Sequence, residues 1–120
     1  MNSHRTFIIA EAGVNHNGSF DMALKLIEIA VEAKVDAVKF QTWKTELLLT
    51  KEADLAEYQK DTSHNFQNQY DLVKDLELSI DESIELKKFC DSKHIIFFST
   101  PDEIVSANNL IDLQDIFKIG

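Results

Sequence analysis

Four short apolar runs punctuate the chain: TFIIAEAG (6–13), DAVKFQT (36–42), IIFFST (95–100) and IFKIG (116–120). Each is strand-sized, and segments of helical periodicity separate them. The first is almost continuously apolar, as in a strand covered on both faces. Ser19 is an N-cap for FDMALKLIEIAVEAK, where Phe20, Ala23, Leu24, Ile27, Ala30 and Val31 form one stripe. QYDLVKDLE reads as a further helix. SIDESIELKKFCDSK opens on Ser79 and Glu82, the spacing of a capping box. DEIVSANNLIDL is a short helix after Pro101, which stops the third strand. The stretch 43–67 is long and polar, with helical character around KEADLAEYQK.

The predicted order is β-α-β-α-α-β-α-β. Strands alternating with helices imply an α/β fold with a parallel sheet. Two architectures fit: a doubly wound sheet, or part of a (β/α)8 TIM barrel. Four strands are half of a barrel, which takes about 250 residues. At 120 residues the chain is expected to be a truncated piece of a longer protein.

In either architecture ligands sit at the C-terminal ends of the strands. Polar residues fall there: Glu11 on the first, Lys39 and Gln41 on the second, Ser99 and Thr100 on the third, Lys118 on the fourth. In AVKFQT, alternation puts Ala37, Lys39 and Gln41 on one face and Val38, Phe40 and Thr42 on the other. Lys39 and Gln41 are expected to point into the barrel, with Val38 and Phe40 packed under helices. An unpaired buried ammonium is costly. Two lysines converging near a barrel mouth therefore ask for an anion: a carboxylate, a phosphate, or Glu11 itself. The alternative is an ion pair of Lys39 with Glu11 and a Lys118 that reaches solvent.

A formal net charge of −9 argues against a nucleic-acid surface and an anionic membrane. No apolar run approaches the ~20 residues of a membrane span, and Glu11 interrupts the N-terminal run too early for a signal peptide. Cys90 is the one cysteine, so there is no disulfide framework; it is expected in core packing, and the cytoplasm is the expected compartment. Gly13 and Gly18 are followed by Ser19-Phe20, which is not a phosphate-binding Walker loop, and no G-x-G-x-x-G occurs. His16 is expected to be solvated or to stabilise a turn. His4, His64 and His94 lack metal-ligand spacing.

IIAEAGVNHNG, VKFQTWKTELLLTKEA, YDLVKDLELS, FFSTP and FKIG, in this order, resemble the N-terminal half of the sialic acid synthases. The resemblance runs from about Phe7 to Gly120. It implies that residues 1–120 are the N-terminal half of a (β/α)8 barrel. The second half-barrel and a small antifreeze-like domain would then be absent from these residues. It also implies a condensation of phosphoenolpyruvate with N-acetylmannosamine, or a related 2-acetamido sugar. The products are a nine-carbon 2-keto acid and phosphate.

By motif position, Glu11 resembles the active-site glutamate near the sugar. Lys39 resembles the lysine on phosphoenolpyruvate, and Gln41 the glutamine on the sugar. Thr100 and Lys118 resemble residues binding the phosphate. The resemblance further implies a divalent metal, manganese or magnesium, with ligands outside this chain, and a homodimer of the full-length protein. Lys34 and His94 stand at left-handed helix ends where the family often has glycine. Asp102-Glu103 follows STP where the family usually has phenylalanine, which brings negative charge toward the phosphate. A non-enzymatic, anion-binding half-barrel that self-associates is the competing expectation.

Overall fold

The computed structural model describes residues 5–49 and 68–120. Three strands form one parallel sheet in the order β1-β2-β3: β1 (Ile9–Gly13), β2 (Ala37–Thr42) and β3 (Ile96–Pro101). The helices are α1 (Phe20–Glu32), α2 (Thr45–Leu48), α3 (Gln69–Asp75), α4 (Ile80–Ser92) and α5 (Ile104–Leu110). Parallel strands alternating with helices are the architecture of a (β/α)8 barrel wall, as expected. The helical character expected around KEADLAEYQK lies outside the described residues.

The helix ends follow local chemistry. The Ser19 hydroxyl accepts from the Met22 N–H at 3.2 Å. Ser79 and Glu82 close the capping box, at 3.1 Å and 2.8 Å. Lys34 (φ 56°) and His94 (φ 58°) do adopt the left-handed conformation after α1 and α4. Without glycine's freedom, each carries a steric penalty of about 1 kcal/mol.

The two faces of the sheet differ. On one, Val38, Phe40 and Phe97 pack with Ala23, Ile27 and Ala30 of α1 and with Leu86 and Cys90 of α4. Phe40 and Phe97 stack with centroids 5.9 Å apart. The stripe read from the sequence is the buried side of α1, and Cys90 is fully buried there. On the other face, register aligns Ile9 with Ala37 and Ile96, then Glu11 with Lys39 and Phe98, then Gln41 with Thr100. The register slips between Glu11 and Gly13.

The expected fourth strand is a correction: residues 116–120 enter no strand ladder. The reason lies in Gln114. Its Oε1 accepts from the Ser99 N–H at 2.7 Å, and its Nε2 donates to the Ser99 carbonyl at 2.9 Å and the Ile116 carbonyl at 3.0 Å. The carboxamide supplies the donor and acceptor that a neighbouring strand would offer to β3 at Ser99. Phe117 and Ile119 are left exposed.

Candidate functional site

The strand ends gather the polar groups. Glu11 and Lys39 are register partners on adjacent parallel strands, so their side chains leave the sheet on one side. The Lys39 ammonium lies 2.8 Å from Oε2 of Glu11 and donates to Oγ1 of Thr100 at 3.1 Å. One cation is thus held by residues from all three strands. Lys39 is 9% exposed, whereas the Glu11 side chain is 56% exposed. The buried partner is the cation, and its counter-ion faces solvent.

Glycine at position 13 makes this geometry possible. A Cβ there would stand 2.9 Å from Oε1 of Glu11 and 3.5 Å from Oε1 of Gln41, and φ is +52°. The carboxylate of Glu11 and the amide oxygen of Gln41 therefore converge over bare backbone. Gln41 is half-buried. Four of the five expected site residues, Glu11, Lys39, Gln41 and Thr100, are brought together.

Lys118 is exposed and is not on a strand. Its charge still reaches the Asp102 carboxyl, as does that of Lys39. Gly120 lies beside the same group: a Cβ there would be 3.9 Å from Oδ1 of Asp102. Burial pushes the Asp102 carboxyl above its usual range, and the two lysines pull it back only in part. Ser99, by contrast, turns to the helix side, where its hydroxyl meets that of Thr42 at 2.6 Å.

The surrounding loops are braced by carboxylates. Glu103 caps α5, accepting from the N–H of Val105 at 2.7 Å and Ser106 at 3.0 Å, and from the Ser106 hydroxyl. It also accepts from the Lys44 N–H at 3.2 Å, tying the end of β2 to α5. Burial alone would raise the Glu103 carboxyl; these hydrogen bonds outweigh it and hold the group below its usual range. Glu77 accepts from the N–H and hydroxyl of Thr45, at 2.9 Å and 2.7 Å, and fixes α2.

His16 is fully buried rather than solvated, yet it does stabilise a turn: its Nδ1 accepts from the Gly18 N–H at 2.9 Å. Burial lowers its imidazole below the ordinary value, and the Glu82 charge opposes this without reversing it. His94 is exposed at the end of α4. Among the described residues, no three His, Cys, Asp or Glu side chains are placed to hold a metal ion. None of their helices is long and apolar enough to cross a membrane.

Comparison with known proteins gives the arrangement a context. The chain is 45% identical over 107 residues to an N,N'-diacetyllegionaminic acid synthase of Legionella pneumophila, covering 89% of this chain and 30% of that protein. It is 43% identical over 116 residues to the enzyme of the same name from Campylobacter jejuni, covering 96% and 35%. The chain thus spans about a third of the length of the curated relatives it matches. A crystal structure of N-acetylneuraminic acid (sialic acid) synthetase from Leptospira borgpetersenii, in complex with citrate, superposes with a TM-score of 0.77 at 34% identity. That match covers 97% of this chain and 36% of the other. The model of the NeuB family matches residues 26–120, well over half of the sequence and including β2, β3 and the Lys39–Thr100 contact, so the chain belongs to the NeuB family.

Proposed function

We propose that this chain supplies the phosphoenolpyruvate end of a sugar-acid synthase active site. The reaction joins phosphoenolpyruvate to N-acetylmannosamine or a related 2-acetamido sugar, such as a legionaminate or pseudaminate precursor. The observation that carries the reading is the buried Lys39 ammonium, held at the strand ends by Glu11 and Thr100. A desolvated cation with a solvent-facing counter-ion is a receptor for a small anion, which can take over the place of the carboxylate.

In this reading Lys39, Thr100 and Lys118 bind the carboxylate and phosphate of phosphoenolpyruvate. Glu11 and Gln41 would orient the sugar aldehyde, and Glu11 would move a proton at its oxygen. The enol carbon attacks the aldehyde carbon, forming the new C–C bond. Water adds at C2, and phosphate leaves with cleavage of the C–O bond. The divalent ion of the proposal, manganese or magnesium, would supply Lewis acidity at the aldehyde. The described residues do not fit such an ion, since His16 is committed to its turn and no ligand cluster converges. In this reading its ligands lie beyond residues 1–120, together with the second half-barrel and the antifreeze-like domain. The full-length protein is proposed to be a cytoplasmic homodimer.

The test is phosphate release from phosphoenolpyruvate by the intact protein, across a panel of acetamido sugars with manganese. Sugar-dependent release that Lys39→Met abolishes supports the reading; sugar-independent or absent release overturns it. Residues 1–120 alone are expected to be inactive, and turnover by them would refute the assignment of the metal ligands elsewhere. Sequencing the DNA beyond the Gly120 codon tests the same point.

A second reading is favoured by one observation. Among the described residues β1 has a strand neighbour on one side only, and Phe7, Ile8 and Ile9 are about half exposed there. An open apolar edge is a site for association. Sedimentation decides: a monomer across micromolar concentrations removes the self-associating, non-enzymatic reading.

A further inference from the structure

The turn from β1 to α1 places three left-handed residues in six positions: Gly13 (φ 52°), Asn17 (φ 53°) and Gly18 (φ 75°). The two glycines adopt it freely, but Asn17 does so only where its surroundings over-determine it. Part of that comes from the turn itself: Asn15 N–H to the Ala12 carbonyl at 2.9 Å, Asn17 N–H to Val14 at 3.0 Å, and Ser19 N–H to His16 at 2.9 Å. The rest comes from the His16 side chain, which accepts from Gly18.

That contact fixes the tautomer. Nδ1 accepts, so it carries the lone pair and the proton sits on Nε2. Nε2 is the one buried side-chain polar atom without a hydrogen-bond partner among the described residues. A buried N–H without an acceptor costs about 1–3 kcal/mol. An aliphatic residue would fill the space without that cost, but it could not hold Gly18.

The turn bears on the site through Gly13. Oε1 of Glu11 lies directly over Gly13, while Oε2 holds the Lys39 ammonium. Moving Gly13 moves the floor beneath Glu11. The imidazole also lies 6.2 Å, centroid to centroid, from the ring of Phe40, the residue between Lys39 and Gln41. His16 therefore joins the turn to the strand that carries the cation.

We infer that His16 is a positioning residue of the anion site: it holds the Gly13–Gly18 turn in the one shape that lets Glu11 meet Lys39. The inference rests on the roles proposed above for Glu11 and Lys39. Among the described residues, Glu82 of α4 is the acidic side chain whose field reaches the ring. The contacts from β2 and from the turn, Phe40 and Gly18, are uncharged. Protonation would convert Nδ1 from acceptor to donor facing the Gly18 N–H, and the tie would break.

Two substitutions in the intact protein test this. His16→Asn keeps an acceptor near the position of Nδ1 and does not titrate. His16→Leu fills the space without an acceptor. In His16→Leu, KM for phosphoenolpyruvate is expected to rise about tenfold, because the Lys39 that binds it loses its fixed place, and kcat is expected to fall about 10²-fold as Glu11 shifts. His16→Asn is expected to recover kcat to within about threefold of the parent and to hold it in acid, where the parent declines. A second readout needs no turnover: the NMR signal of the Lys39 ammonium, slowed in exchange by Glu11 and Thr100, should persist in His16→Asn and vanish in His16→Leu. If His16→Leu does not fold, acidification serves in its place, with the signal lost from the parent and kept in His16→Asn. A His16→Leu protein that keeps the Lys39 signal, or a His16→Asn protein that loses it, overturns the inference. A protein that shows the expected signals but no sugar-dependent phosphate release overturns the proposed function alone.

Discussion

Glu11 and Lys39 face each other across two adjacent parallel strands and close a 2.8 Å ion pair whose two ends differ in solvent exposure. The Lys39 side chain is 11% exposed and that of Glu11 is 56% exposed. The two partners are therefore not equivalent. Removing Glu11 strands a buried charge with one hydroxyl; removing Lys39 leaves a carboxylate already in water.

The first prediction follows from this asymmetry. Glu11→Gln should cost more stability than Lys39→Met, by about 1–2 kcal/mol, since an uncompensated buried charge is the larger penalty. Urea midpoints of both variants, measured at pH 7.5, check the order. Equal costs would mean that the ammonium is solvated.

His16 sets a pH dependence of folding. Its folded-state value lies below the ordinary 6.5, because burial disfavours the imidazolium. Below 6.5 the unfolded chain takes up a proton that the folded chain refuses, so stability falls as pH drops from 6.5 toward the lowered value. Above 6.5 this contribution is complete. Thermal unfolding between pH 7.5 and 5 should show the decline, and His16→Asn should flatten it.

Cys90 should be inert. Burial pushes its thiol up to about 12, so the nucleophilic thiolate is scarce at neutral pH. Iodoacetamide should leave the native protein unlabelled at pH 8 and label it fully in denaturant. Rapid native labelling would mean that α4 opens readily.

Glu103→Ala should destabilise the protein by about 1–2 kcal/mol, since it removes the cap of α5 and the tie to the Lys44 N–H together. Glu103→Asp, with a shorter reach, should lose the second contact before the first. Chemical denaturation of the pair separates the two losses.

Asp102→Asn should strengthen binding of sulfate to the intact protein about threefold or more, because it removes a negative charge from the field of Lys39 and Lys118. Titration calorimetry at low ionic strength reads the change. Unaltered affinity would place the anion away from Asp102.

Much of this was legible from local pattern. The three strands, α1 with its Ser19 cap and α4 with its capping box are written in apolar spacing and short-range hydrogen bonds, and all are present. Lys39 was legible because a lysine within an otherwise apolar strand needs a partner, and register supplied Glu11. Residues 116–120 have strand composition, but their pairing depends on what occupies the edge of β3, and Gln114 does. The short α2 was missed because Glu77, 32 residues from Thr45, organises it. The burial of His16 has no local signature beyond the glycine two residues later, since it arises when the turn closes over Phe40.

The amide of Gln114 is a removable stopper. It rides on single bonds that can turn once its contacts with Ser99 and with the Ile116 carbonyl are released, and it matches a peptide group in what it gives and takes. An incoming backbone segment at that margin would exchange like for like, leaving the tally of hydrogen bonds at Ser99 unchanged. Sheet extension beyond β3 then asks for the swing of one side chain, not the dismantling of a wall.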